Sequence, residues 1–140
     1  MIVFCTSTHS DFNFKEICKA ANVLHLEYGS GQSELITEPA HLLPKEQALW
    51  AEDIIERELS ISISTYKQFI ATTYENAILR TLRRVREKKI SHEQVLVACL
   101  TKCSWDNNAK EIATLRVTEE GEFLDRWPDG FFDHRMEELF

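Results

Sequence analysis

Two prolines five residues apart, Pro39 and Pro44, constrain the fold of this chain more than any other local feature. A short apolar run that ends in Glu38 precedes them. Because proline has no backbone N–H to donate to a ladder, a central strand cannot continue through Pro39, whereas Pro44 suits the first turn of a helix. The segment 34–47 therefore predicts a strand, a tight corner that carries Glu38, and a helix that begins at about Pro44.

Length and composition indicate one globular domain over residues 1–140. The apolar residues make up 44% of the chain and the charged residues 28%, which is enough to bury a single core and too apolar for disorder. The formal net charge is −7, so the chain as a whole does not have the basic character of a nucleic-acid-binding protein. No apolar run approaches the roughly 20 residues of a membrane span, and the N-terminus lacks the pattern of a signal peptide. We therefore expect a soluble, cytoplasmic protein.

Four cysteines are spread along the chain without a C-x-x-C pair: Cys5, Cys18, Cys99 and Cys103. In a chain of this size the pattern predicts free thiols in a reducing compartment. The alternative is a zinc site that joins Cys99 and Cys103 to a histidine, but Cys99 lies in a predicted strand and is expected to face the core. For Cys5 as a nucleophile, no third catalytic group is identifiable. We therefore expect no metal site.

The hydrophobic pattern alternates short β-type runs with helical spacing. The predicted strands are residues 1–5, 23–28, 35–36, 68–72, 95–100 and 111–118, and the predicted helices are 14–21, 44–59 and 75–88. The last two strands are expected to pair as an antiparallel hairpin. This order predicts an α/β fold, a mostly parallel sheet flanked by helices with an antiparallel C-terminal hairpin. An aromatic tail should dock on the body and finish as a short helix or tail over residues 131–140.

Two of the predicted helices carry opposite charge. The acids of the first are Glu46, Glu52, Asp53, Glu56 and Glu58, and the cations of the second are Arg80, Arg83, Arg84, Arg86, Lys88 and Lys89. Such a basic run is usual on a solvated helix face, and the alternatives are a patch for nucleic acid or for an acidic partner surface. Two charged faces favour a protein partner or self-association. The tail aromatics Trp127, Phe131 and Phe132 are expected either to dock on the core or, where exposed, to anchor an interface.

Three segments resemble one protein family. They are ELITEPAHLLPKEQ at 34–47, QFIATTYENAILRTLRRVREKKIS at 68–91 and LRVTEEGEFLDRWPDGFFDHRMEELF at 115–140. Together they resemble the C-terminal lobe of bacterial ATP-binding-cassette-like AAA ATPases, the SMC-related and overcoming-lysogenization-defect-like proteins common in anti-phage defence operons. That lobe has a segment of the type E-P-E-x-H-L-H-P-x-x-Q, a strand that ends in T-H-S-E before an Arg-rich helix, and a terminal G-x-x-x-x-W-P-x-G-F-F-D motif. The resemblance implies the fold of the second half of an ABC-type nucleotide-binding domain over residues 34–140.

The chain departs from this family where the family holds a triphosphate. It has no G-x-x-x-x-G-K-[ST] sequence, the loop whose backbone N–H groups and lysine bind phosphates. The resemblance places Thr37 at the metal-ligand position of the Walker B strand, Glu38 at the following catalytic acid, and Thr73 at the switch histidine. This register is favoured over one with the Walker B strand at residues 23–27 because Pro39, His41, Pro44 and Gln47 all fit the family segment. A loop similar to the family's signature loop, which contacts the nucleotide of the opposing subunit, consists of Gly29, Ser30, Gly31 and Gln32.

Because the chain resembles this family but lacks its phosphate loop, we expect an ATPase-like subunit or adaptor with no activity or cofactor of its own. Phosphoryl transfer needs positioned phosphates and charge neutralised by Mg²⁺ and a lysine, which Glu38 alone does not supply. The expected role is binding a complete ATPase or an effector in an anti-phage defence complex. One alternative is a composite site in trans, with ATP and Mg²⁺ held through the partner. Another is a nucleic-acid-binding module that uses the helix from Arg80 to Lys89.

Overall fold

The computed structural model describes residues 1–7, 13–29, 32–61, 65–102 and 110–125. Within these ranges the strands are β1 (Ile2–Ser7), β2 (Ser33–Thr37), β3 (Lys67–Ala71), β4 (Val95–Lys102) and β5 (Lys110–Arg116). The helices are α1 (Phe14–Tyr28), α2 (Pro44–Ser60) and α3 (Glu75–Arg86), with a 3₁₀ turn at His92–Gln94. None of these helices has the length and apolar character of a membrane span. The expected tail helix lies outside the described ranges, and so do six of the residues discussed above: Ser30, Gly31, Cys103, Trp127, Phe131 and Phe132.

The described strands form one sheet in the order β2-β3-β1-β4-β5. The first four are parallel to one another, and β5 runs antiparallel to β4, with Val97 opposite Leu115. The expected α/β fold, a mostly parallel sheet with an antiparallel C-terminal hairpin, is therefore confirmed. Because β1, β2 and β3 are parallel, their carboxyl ends lie at one edge of the sheet, which is where ligands bind in open α/β sheets.

Alternate residues of the central strands serve two different core clusters. Phe4 and Val97 face α2 and α3, where the larger cluster forms with side chains from both helices. Val3, Cys5 and Phe69 face the other side and pack against α1. Because the central strands are buried on both faces, they appear in the sequence as continuous apolar runs instead of an alternation.

The sequence prediction of a strand at residues 23–28 was wrong. α1 continues through this segment to Tyr28, and the Gly29 N–H bonds to a carbonyl of its last turn. The helix packs on the sheet through Ile17, Ala21 and Leu24, a spacing of four and three residues that defines one helical face. The remaining apolar residues of the segment are exposed: Val23, Leu26 and Tyr28. The alternating apolar residues that suggested a strand therefore belong to the exposed surface of a helix.

Gly121 begins the segment that resembles the family's terminal motif, and its backbone geometry requires a glycine. Its φ is +74°, in the left-handed region that side chains with a Cβ rarely adopt. A Cβ at this position would also overlap the carbonyl oxygen of Leu82 in α3. The surrounding turn is closed by an antiparallel bridge between Val117 and Phe123. Gly121 therefore allows the chain after β5 to pack directly against α3.

We expect Gly121→Ala to lower the free energy of unfolding by at least about 2 kcal/mol, because it adds backbone strain to a steric overlap. Urea unfolding measures the change. Glu120→Ala, at the exposed neighbouring position, is the matched control and should stay within about 0.5 kcal/mol of the wild type. Equal unfolding midpoints for the two variants would contradict this packing.

The described part of the chain ends at Asp125, which is held by Arg116 at the end of β5. The Asp125 carboxylate accepts hydrogen bonds from the backbone N–H and from Nη2 of Arg116, both at 2.7 Å. These bonds, the side-chain bonds first, lower the pKa of Asp125 to about 2. The Leu124 N–H also bonds to the Arg116 carbonyl at 2.8 Å. Three successive contacts thus fix the start of the tail to the last strand.

The lowered pKa of Asp125 determines how the stability of the fold changes with pH at this contact. The Arg116–Asp125 pair stabilises the fold above the unfolded carboxyl pKa of about 4, and this contribution is lost as the pH falls towards 2. We expect Arg116→Gln to raise the Asp125 pKa towards its ordinary value of 3.8, measured by NMR titration of the carboxyl carbon. Arg57→Gln, which removes an exposed contact to Glu34, is the control and should leave the Asp125 pKa unchanged. An Asp125 pKa that stays near 2 in R116Q would count against the pairing.

Candidate functional site

The corner predicted from the two prolines lies at the carboxyl edge of the sheet. β2 ends at Thr37, and α2 begins at Pro44. Between them the Glu38 N–H bonds to the Ala71 carbonyl at 3.1 Å, so Glu38 lies beside the end of β3. The prediction of strand, corner and helix for this segment is confirmed.

The Glu38 carboxylate is held by the two threonines that follow β3. Its Oε2 accepts hydrogen bonds from the Thr72 hydroxyl and the Thr73 N–H, and its Oε1 accepts one from the Thr73 hydroxyl, all at 2.8 Å. Thr72 is buried, Glu38 is half-buried and Thr73 is exposed. Hydrogen bonds to an ionised carboxylate are among the stronger ones in proteins. The carboxylate therefore joins the ends of two neighbouring strands.

Tyr74 extends this network to the backbone of the corner. Its hydroxyl donates to the Pro39 carbonyl at 2.5 Å and accepts from the Leu42 N–H at 3.2 Å. Its ring packs edge-on against Trp50 of α2, with ring centroids 6.1 Å apart. Both the ring and the hydroxyl of this half-buried side chain are thus held by contacts. Tyr74 holds the conformation between the two prolines.

The other polar residues of the corner also have structural partners. Gln47 donates from Nε2 to the Leu42 carbonyl at 2.9 Å, and its Oε1 accepts from Asn76 Nδ2 at 3.0 Å. His41 is exposed and adopts a φ of +58°, which is uncommon for a residue other than glycine. The histidine and glutamine that match the family segment therefore shape and brace this corner.

β1 lies at the centre of the sheet and α1 follows it in the sequence, as the strand and helix on either side of the phosphate loop do in P-loop proteins. A phosphate loop uses glycines for close backbone approach and a lysine for the phosphates. Residues 6–13 contain neither glycine nor lysine, and the first lysine of the chain is Lys15, inside α1. Burial, and then the Glu38 carboxylate, raise the pKa of the Cys18 thiol on α1. The sequence between this strand and this helix therefore lacks the glycine and the lysine of a phosphate loop.

The structure brings together only part of the predicted nucleotide-binding set. Thr73 contacts Glu38 directly. Gly29 and Gln32 precede β2 and lie at the opposite edge of the sheet, separated from Glu38 by a five-residue strand of roughly 16 Å. The two remaining members lie outside the described residues: Ser30 and Gly31. Within one copy, the described part of this loop and Glu38 therefore do not form a single cluster.

The arginines of α3 pair with acids of the same chain. Arg80 Nη1 and Arg84 Nε both contact Glu52 Oε1 of α2, at 3.2 and 2.7 Å. Arg83 and Arg84 also reach Glu87, at 3.5 and 2.5 Å. Hydrogen bonds, first to Glu87 and then to Glu52, raise the pKa of Arg84. The acidic and basic helix faces thus neutralise each other in part.

The cysteines of the core have no metal partners among the described residues. Cys99 and Cys5 are buried, and burial raises the pKa of each thiol to about 12. A protonated, buried thiol is a poor ligand and a poor nucleophile. No group of three or more His, Cys, Asp or Glu side chains within the described ranges is placed to hold a metal ion. The prediction that Cys99 faces the core is confirmed.

No family model, curated protein or solved structure matches the chain. The family named above therefore remains a resemblance in sequence motifs. The structure adds two residues that sequence reasoning missed, Thr72 and Tyr74. The available signal was the run of polar side chains directly after a buried strand, next to the strand that carries Glu38.

We expect Glu38→Ala to lower the free energy of unfolding by about 1–3 kcal/mol, because it leaves the buried Thr72 hydroxyl without its acceptor. Glu38→Gln retains one carbonyl oxygen and should cost less. Glu56→Ala, an exposed carboxylate on α2, is the control and should change the stability by less than about 0.5 kcal/mol. If E38A and E56A unfold at the same urea concentration, the carboxylate does not join the strands.

Proposed function

We propose that this chain is an ATPase-like subunit without ATPase activity of its own, which binds a partner protein, either a complete ATPase or an effector. The observation that supports this most directly is the Glu38 carboxylate, whose two oxygens accept hydrogen bonds from Thr72 and Thr73. A carboxylate that acts as a general base must direct an oxygen towards the attacking water. At Glu38 the oxygens are directed to the strand ends, which favours a structural role.

The composition of the β1–α1 connection supports the same proposal. Catalysis of phosphoryl transfer consists mainly of positioning the phosphates and neutralising their charge. Residues 6–13 supply neither the glycine backbone nor the lysine for this task. Thr37, at the position of the metal-ligating acid, offers no carboxylate to Mg²⁺. A nucleotide would need these groups from another chain.

The biological setting of the proposal is an anti-phage defence complex. This setting is taken from the family resemblance alone and not from the geometry of the fold. Exposed apolar side chains on the first two helices are consistent with a protein partner; the most exposed are Leu26, Tyr28, Leu43 and Leu49. Single exposed apolar residues are common on soluble proteins, so they do not define the interface.

A second candidate function is a composite ATP site completed in trans. One observation favours it: Glu38 is half-buried and Thr73 is exposed at the carboxyl edge of the sheet, where a docked partner would reach both. A partner that carries a phosphate loop would then bring ATP and Mg²⁺ to this edge. Nucleic-acid binding through the α3 helix is less favoured, because Arg80 and Arg84 are already paired with Glu52.

The first test uses the purified chain. We expect no Mg²⁺-dependent ATP hydrolysis above a protein-free blank, and the same result for Glu38→Gln, because the phosphate-binding groups are missing from the sequence. A coupled phosphate-release assay measures the rate. Mg²⁺-dependent turnover that E38Q abolishes would refute the proposal.

The second test uses the complex that co-purifies with the tagged chain from its host. The leading proposal expects Glu38→Gln to leave the ATPase rate of the complex unchanged. The composite site expects that rate to fall at least about 100-fold with the complex intact, the size of loss seen when a catalytic base is removed. Glu56→Gln is the matched control. Recovery of the chain without any protein partner would contradict both candidates.

A further inference from the structure

One part of the sheet surface is left open by the described helices. α1 covers β3, β1 and the start of β2, while the same face of β4 and β5 carries no described helix. The result is a groove of about 440 Å³ between α1 and β5, called here the open groove. Its apolar lining includes Val23, Leu24, Phe69, Leu96, Ala98 and Ile112.

The open groove exposes apolar side chains from two sides. Val23 on α1 is 46% exposed and Ile112 on β5 is 36% exposed. Between them Leu96 of β4 is half-buried. Apolar side chains exposed on both walls of a groove suit the binding of another apolar segment. The open groove is therefore a place where an apolar segment can pack.

The described chain ends on the same face as this groove. Ile112 and Thr114 of β5 line the groove. Because alternate residues of a strand lie on the same face, the side chain of Arg116 is on this face as well. Arg116 holds Asp125, the last described residue. A smaller cavity of about 390 Å³ contains Leu124 and shares Met1 and Leu96 with the open groove. The chain is thus directed to the rim of the groove.

The next 15 residues of the sequence, residues 126–140, match this groove in composition. Their large apolar side chains are Trp127, Phe131, Phe132, Met136, Leu139 and Phe140. Trp127 is only two positions beyond the anchored Asp125. Extended chain covers about 3.3 Å per residue, so seven residues reach across roughly 23 Å, more than the length of a short strand.

We propose that the chain's own residues 126–140 occupy the open groove, with Trp127 and the Phe131-Phe132 pair as the side chains that fill it. The Arg116–Asp125 contacts hold the start of this segment at the rim. The inference does not depend on the proposed function. It also has a consequence for partners: a protein that binds the open groove must first displace this segment.

Hydrogen–deuterium exchange on the full-length protein tests the occupant. The variant Ile112→Asp places a charge in the groove at a position exposed enough to preserve the fold. It should raise the exchange rate of peptides within residues 126–140 by about tenfold, the effect of losing one well-packed aromatic contact. Leu49→Asp, at an exposed position on α2, is the matched control and should leave those peptides unchanged.

The reciprocal variant changes the tail in place of the groove. Replacing Trp127, Phe131 and Phe132 together by serine should increase the exchange of peptides covering residues 21–28 and 110–117, while peptides of α2 remain unchanged. Identical exchange of residues 126–140 in the wild type and I112D would overturn the proposal. Protection of the groove that rises with protein concentration, with a dimer in light scattering, would overturn it as well, because the occupant would then be a second copy.

Discussion

The hydrogen bond between Glu38 and the Thr72 hydroxyl is the contact on which the rest of the carboxyl edge depends. Thr72 donates this bond and, with the same oxygen, accepts the Tyr74 N–H at 2.9 Å. That bond helps to fix Tyr74, whose hydroxyl in turn holds the Pro39 carbonyl. One carboxylate thereby orders a chain of contacts from the end of β2, through the end of β3, to the start of α2. Networks of this kind are stabilising when every member is satisfied and costly when one is missing.

The same network holds Glu38, the residue that the sequence resemblance places at a catalytic acid, through structural contacts. The resemblance assigns Thr73 to the place of a switch histidine, and in this chain its backbone and hydroxyl both donate to Glu38. A short side chain at this position brings its donor onto the strand end and engages the carboxylate at close range.

The features that were predictable from sequence are those set by local chemistry. Pro39 and Pro44 determine a strand end and a helix start by their missing N–H groups, and the periodicity of α2 and α3 is strong. The strand at residues 23–28 was mispredicted because exposed apolar residues on α1 imitate strand alternation. The central place of β1 was not predictable, since parallel pairing joins segments that are distant in sequence. The Thr72 and Tyr74 contacts and the Glu52 ion pairs likewise require knowledge of which elements become neighbours.

The distribution of charge bears on what kind of surface a partner would contact. The sequence has 16 basic and 23 acidic residues, and several of the basic ones are paired internally: Arg57, Arg80, Arg83, Arg84 and Arg116. Pairing reduces the local field of the α3 helix, and the remaining surface keeps an excess of carboxylates. Phosphate backbones are attracted by unpaired cations, so this balance disfavours nucleic acid as the main ligand. Exposed ion pairs also contribute little to affinity, whereas exposed apolar side chains contribute substantially when a partner covers them. Association of this chain is therefore expected to depend on apolar surface more than on its basic helix.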